Sequence, residues 1–376
     1  MKGFRIATLF GIPIEINVSW LIIFTIIFWS LSAAVFPMTY PGLGRGVYLL
    51  MGAVTTVLFF ASLIAHELSH SLVSQHFGLR VRRIVLFVFG GISETTQELP
   101  SPAIEFKVAI AGPLMSFALG ALFALLARGL DTMPGFFAAA GVCAWLAVVN
   151  LALGLFNLLP GFPLDGGRVL RAAAWQATGS LRRATRIASR GGQIVGGLLM
   201  LWGLLRVMAG DLFGAIWIGF IGYLLFQAAA SQYGEMVLHA ALSGVGVGDL
   251  MTRDPQVLDP DMTLSAVVDD YLLRYPYEGY PVVDGHLDGL LQAKQVKAVP
   301  PEEWSRRRVR EVMTPLGDAQ ALDPHASVAD ALQRFSQLDV GRLPVVEEGR
   351  VIGMLSQSDV IRYLAWHPEI EKSAGT

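Results

Sequence analysis

The chain has 376 residues, of which 53% are hydrophobic and only 15% charged, against about 25% charged in an average soluble protein. A formal net charge of −2 gives no electrostatic case for nucleic-acid binding. The single cysteine, Cys143, lies in an apolar run; it excludes an intramolecular disulfide and reads as a core residue.

The charge deficit is uneven. Residues 18–231 are dominated by long apolar runs, and the remainder from about 240 reads as an ordinary soluble domain. This divides the chain into a membrane part, 1–235, and two tail modules, 245–299 and 309–368. The first apolar stretch, from near Asn17 to about Phe36, is longer than the h-region of a secretory signal. Spans of about 20 apolar residues fit the hydrocarbon core, and six are read: 18–37, 48–70, 104–128, 136–158, 188–207 and 212–230. The connections at 1–17, 71–103 and 159–187, with the flanks Lys107 and Arg190, hold twelve Lys and Arg; the opposite set holds three, Arg45, Arg128 and Arg206. The positive-inside rule makes the richer set cytoplasmic. A multi-pass cell-membrane protein results, with its N-terminus and its tail on the cytoplasmic side.

Residues 79–95, LRVRRIVLFVFGGISET, lie between the second and third spans. They are rich in Val, Ile and Phe and broken by Gly90-Gly91, which predicts a short strand or hairpin. Irregular backbone near a membrane must be buried in protein or line a cavity.

The second span ends in FFASLIAHELSHSLVSQHFG. His66 and His70 are four residues apart and share one helix face, within reach of one zinc, with Glu67 beside them as general base. Ionisable residues in an apolar span cost about 2–3 kcal/mol each on insertion scales, so they are retained where they pair, bind metal or do chemistry. The bland reading is a helix end that snorkels these groups to the interface. Two histidines leave a catalytic zinc one protein ligand short. The fourth span ends in FNLLPGFPLDGGR, residues 156–168. There Pro160 and Pro163 stop the helix, and Gly166 and Gly167 permit close backbone approach. Asp165 between them either caps a helix starting near Val169 or supplies the third ligand. The need for that ligand on the same cytoplasmic side favours the second role. His76, His286 and His325 fit no motif and read as structural or surface residues.

HELSH in one span and NLLPGFPLDGG in a later one resemble the site-2 protease family of intramembrane zinc metalloproteases, over roughly residues 10–230. The resemblance implies His66, His70 and Asp165 as ligands of one Zn2+ and Glu67 as general base. It further implies that Phe89, Gly90, Gly91 and Ile92 belong to a strand that pairs with an extended substrate, a transmembrane protein segment unwound in the lipid bilayer. The edge at 86–92 would replace the hydrogen bonds lost on unwinding. The family's Asn-x-x-Pro element falls on Asn157 and Pro160. Asn157 either polarises the scissile carbonyl or makes a helix–helix hydrogen bond. One departure is visible: the family often has Gly-Pro-x-x-Asn in the third core span, and AGPLMS places Ser116 at the Asn position.

The tail repeats itself. Met-Thr, Leu-Asp-Pro, Pro-Val-Val and Gly-x-Leu/Met-Leu recur from Met251 and from Met313. Each copy reads as turn, amphipathic helix, strand, turn, strand, helix, and two such short copies are expected to pack together. The pair resembles tandem cystathionine-β-synthase (CBS) domains, which often bind ATP or AMP. The resemblance implies Asp359, with Ser356 before it, at one nucleotide site; Gln292 and Gln295 stand at the equivalent positions of the first copy. A purely structural or dimerising module is the other reading.

The expected fold is thus an α-helical polytopic membrane domain of about six transmembrane helices with a short membrane-associated β element, followed by a cytosolic α/β tandem pair. Gly192, Gly196 and Gly197 allow close helix contact and hint at a homodimer. Two other functions compete with this reading. A transporter or channel gated by the tail lacks a selectivity-filter glycine signature. A scaffold with a structural zinc would need four protein ligands, and only three good ones are found.

Overall fold

The computed structural model describes residues 3–88, 90–95, 99–275, 279–317, 320–338 and 340–367. Two compact units result, Met1–Tyr233 and Gly234–Thr376. In the first, α1 (Trp20–Thr39), α2 (Arg45–His76), α3 (Pro102–Asp131) and α4 (Phe137–Asn157) are long and apolar. They are followed by the shorter amphipathic α5 (Asp165–Thr178) and by α6 (Leu181–Met208) and α7 (Leu212–Leu242). Among the described residues six helices, all but α5, are long and apolar enough to cross a membrane.

The outer faces carry exposed Leu125, Leu155 and Leu201, while the inner faces carry Thr55, Thr56, Ser62, Ser116 and Asn150, all buried. That is the inverse of a water-soluble bundle. It suits lipid, where small and polar groups between helices supply the cohesion. The α2 helix continues to His76, so His66 and His70 sit inside a helix rather than at its end.

Four strands form one sheet in the order β1 (Phe4–Leu9), β2 (Ile12–Ile16), β3 (Val81–Phe87), β4 (Gly90–Thr95). The β2–β3 pair is parallel and the two hairpins are antiparallel. The first two strands fall in a stretch read only as a connection. Their signal is the alternation of Ile12, Ile14 and Ile16, of which the first two are fully buried. The β3–β4 hairpin matches the expectation for 79–95, with one difference: Leu86 and Phe87 belong to the inner strand, and the free edge on that side is β4. Gly90, at φ +133°, opens β4 in a backbone conformation that side-chain-bearing residues rarely adopt. Phe89 lies outside the described residues. Leu86 packs on Phe60 and Leu63 of α2 and on Trp20 and Phe24 of α1, which seats the hairpin against the apolar helices.

The loop 158–164 is held by backbone contact. A Cβ on Gly192 would lie 2.0 Å from the Phe162 carbonyl oxygen, and one on Gly196 would lie 2.6 Å from that of Gly222. Both glycines therefore serve packing within the chain. Gly197 has nothing within 4 Å.

In the second unit the two repeats exchange strands. Thr252–Arg253 (β5) of the first pairs with Arg350–Ser356 of the second, and Thr314–Pro315 of the second pairs with His286–Gln292 of the first. Met251 lies over Gly353 and Met313 over Gly289, so each Met-Thr motif fills a glycine gap in the other repeat. Leu287 and Leu290 of the first repeat share a core with Val328, Phe335 and Leu355 of the second. Neither repeat is complete alone.

Replacing Gly192 by Ala should destabilise the chain by about 1–3 kcal/mol through overpacking, while Gly197→Ala should be neutral. Thermal melts in detergent distinguish the two.

Candidate metal centre

Three helices meet at the metal-ligand candidates. Helical spacing puts His66 and His70 on one face of α2, and both side chains are buried. Asp165 is the first residue of α5, so the helix begins at the carboxylate, not near Val169. The reason is local. A Cβ on Gly166 would lie 2.3 Å from the Leu158 carbonyl oxygen, and one on Gly167 would lie 2.3 Å from the Phe162 nitrogen. Only glycines allow the first turn of α5 to press so closely on the preceding loop.

His66 Nε2 and His70 Nε2 lie 3.1 and 3.2 Å from Asp165 Oδ2 and 3.3 Å from each other. The outer nitrogens are fixed by α3. His70 Nδ1 donates to the Val108 carbonyl at 2.7 Å, and His66 Nδ1 is 2.8 Å from Ser116 Oγ. Because a carbonyl only accepts, His70 carries its proton on Nδ1, and in the neutral ring Nε2 presents a lone pair. Asp165 turns a carboxylate oxygen toward both rings. With ring lone pairs facing it, atoms at these distances repel unless a proton or a metal cation lies among them. Ligands of a tetrahedral zinc with bonds of about 2.0–2.1 Å stand about 3.3 Å apart, close to the spacing here. The donor set fits a divalent metal, and it leaves one coordination position open.

Glu67 is half-buried, one residue round the helix from His66. A Cβ on Gly91 would lie 2.7 Å from Glu67 Cγ, and Ser93 Oγ is 2.9 Å from Ser71 Oγ. The β4 strand thus runs directly along α2 beside Glu67, while Ile92 is exposed. Asn157 is not drawn into the cluster: its side-chain amide donates to the Leu153 carbonyl of its own helix at 3.0 Å.

Two residues of the centre were not foreseen. Ser116, which stands where the family often has Asn, is the partner of His66. Gly112 packs against both rings: a Cβ there would lie 2.2 Å from His70 Nε2 and 2.6 Å from His66 Nε2. The sequence signal for both is their spacing of four along α3, next to Pro113.

The tail holds a separate cavity of about 540 Å³, lined by Tyr280, Arg342, Met354, Ser356, Asp359 and Arg362 among others. Ser356 and Asp359 form a helix cap: Ser356 N and Oγ donate to Asp359 Oδ2 at 3.0 and 2.6 Å. Arg362 donates to Asp359 Oδ1 at 2.8 Å. In the first repeat Gln295 makes the same cap, accepting from Gln292 N, and donates to Thr314 Oγ1 at 2.8 Å.

The model of peptidase family M50 matches residues 54–140 and 137–201, and the CBS-domain model matches 247–298 and 309–365. A Mycobacterium tuberculosis protein provisionally named zinc metalloprotease Rip3 is 37% identical over 93% of this chain and 90% of its own length. A Synechocystis protein, sll0528, also provisionally named a zinc metalloprotease, is 32% identical over 96% of each chain. A solved site-2 protease from Methanocaldococcus jannaschii aligns over 62% of this chain and 95% of its own, at 26% identity and a TM-score of 0.42.

Gly112→Ala should abolish zinc retention, because neither imidazole can move without losing its α3 partner. Ser116→Ala should lower zinc affinity about 10-fold or more by freeing the His66 ring. Metal analysis and chelator competition on the purified protein measure both.

Proposed function

The chain belongs to the M50 peptidases, zinc metalloendopeptidases of the site-2 protease type, and from that premise we propose that it cuts membrane proteins in or near a transmembrane segment. The observation that carries this reading is the position of the ligand cluster: His66 and His70 are buried inside a helix apolar enough to span a membrane, with an open strand edge beside them. His66, His70 and Asp165 would hold the metal. When bound, zinc supplies a Lewis acid that acidifies a water and polarises a carbonyl.

The remaining roles fall to the chain. Glu67 takes the proton of the attacking water and returns it to the departing amine, as a general base and then a general acid. A transmembrane helix has no free backbone hydrogen bonds, so its peptide must unwind before attack. The β4 edge offers replacement partners through strand addition, and Gly90 and Gly91 keep that edge free of side chains where it passes Glu67. Ile92, exposed on the same strand, would touch substrate, and Phe89 belongs to the proposed substrate strand on sequence grounds alone. Asn157 would polarise the scissile carbonyl after its amide leaves Leu153. The Lys/Arg asymmetry of the connections puts the N-terminus, the active-site side and the tail in the cytoplasm.

The tail cavity is proposed to take an adenine nucleotide, with Ser356 and Asp359 toward the ribose and Arg342 toward phosphate. Only this one of the two related positions is proposed, since Gln295 is tied to Thr314 in the other.

Glu67→Gln should lower cleavage of a membrane substrate by about 10²–10⁴-fold and keep its zinc, whereas His66→Ala and Asp165→Ala should lose zinc. Cleavage undiminished in Glu67→Gln would refute the mechanism. Separately, ATP or AMP should raise the melting temperature of the tail unit, by about 2.7 kcal/mol of stabilisation at 100 times Kd, and Arg342→Ala should remove that shift.

A further inference from the structure

Glu105 of α3 is a carboxylate with no exposed surface, and no step of the proposed chemistry uses it. Burying a charge is costly unless it is paired; Oε2 has no hydrogen-bond partner among the described residues, and Oε1 has a specific one. Arg171 Nε donates to Glu105 Oε1 at 2.6 Å, and Nη2 lies 2.5 Å from the same oxygen. Arg171 stands on α5, six residues after Asp165, which is about 9 Å along the helix axis. Its guanidinium also lies 5.2 Å from the centre of the Phe162 ring, in the loop that leads into Asp165. One side chain therefore touches α3 on one side and the Asp165 loop on the other.

The far end of the contact matters as much. Glu105, Val108, Gly112 and Ser116 recur at intervals of three and four and share one face of α3. Val108 fixes His70, Gly112 abuts both rings and Ser116 meets His66. The face that orients two ligands is thus fastened by Glu105 to the helix that supplies the third. A buried ion pair adds little net stability over an apolar pair of the same size, but it tolerates one geometry where apolar side chains tolerate several.

We propose that Glu105 and Arg171 are positioning residues of the metal centre: their ion pair fixes α5 against α3 and so sets the distance of Asp165 from His66 and His70. This rests on the reading that those three residues hold the metal. Breaking the pair lets the first turn of α5 drift and weakens zinc binding, although neither residue touches a ligand.

The test uses the full chain in detergent, with zinc alone as the probe and chelator competition for affinity. Glu105→Gln and Arg171→Lys should each lower zinc affinity by about 10–100-fold, and the double variant should lose no more than the worse single one, because coupled partners do not add. Tyr233→Phe removes the hydroxyl that accepts from Arg186 Nε at 2.9 Å, between α6 and α7. It controls for general loosening and should lower Tm with zinc affinity unchanged. His66→Ala tests the underlying reading. If it binds zinc like the native chain, the site assignment and the proposal fall together. If it loses zinc while folded Glu105→Gln and Arg171→Lys bind normally, the proposal alone is overturned. Equal zinc losses in the pair variants and Tyr233→Phe overturn it as well. Should Glu105→Gln fail to fold, Arg171→Lys, which keeps the charge, decides the matter.

Discussion

Three electron-rich atoms, two imidazole nitrogens and a carboxylate oxygen, are held within 3.3 Å of one another in the interior of an apolar bundle. They are largely buried, and the donor set fits a divalent cation at its centre. Much of the first unit can be read as the means of holding that arrangement. The α2 helix supplies the two imidazoles through its 3.6-residue period. The α3 helix fixes the rings from behind and leaves room for them with a glycine. The loop after α4, packed glycine on glycine, delivers Asp165 at the first turn of α5.

The edge of β4 poses a related constraint. Inside lipid, a free strand edge is an unpaired row of backbone groups and is costly. It is tolerated where it lies against protein, and here it runs along α2 past Glu67 and Ser71. An edge beside Glu67 would suit the proposed substrate, an unwound peptide, because each side would satisfy the other's backbone groups.

The tail follows a different logic. Each repeat lends a two-residue strand and a methionine to the other, and the cores merge. Near-identical motifs acquire different fates in this exchange. Asp359 caps a helix at the rim of a cavity, whereas Gln295 spends its amide on Thr314. One repeat unit thus yields an open position and a closed one.

The sequence by itself determined the spans and the shared helix face of His66 and His70. Hydropathy and helical period are local properties that do not depend on the rest of the fold, and the same holds for the hairpin at Gly90-Gly91 and the tail repeat. Asp165 was within reach because Pro160, Pro163, Gly166 and Gly167 mark an enforced turn. What only the tertiary structure decided is which groups stand behind those residues. Ser116 and Gly112 gain their meaning from two rings 42 to 50 residues earlier, and Glu105 from an arginine 66 positions later. The glycines of α6 read as close-contact positions that hint at a homodimer, and the fold spends Gly192 and Gly196 on contacts inside the chain. The reason is physical: a ligand's chemistry is written in its side chain, while the contacts that orient it come from residues of many types, brought together only when separate helices pack.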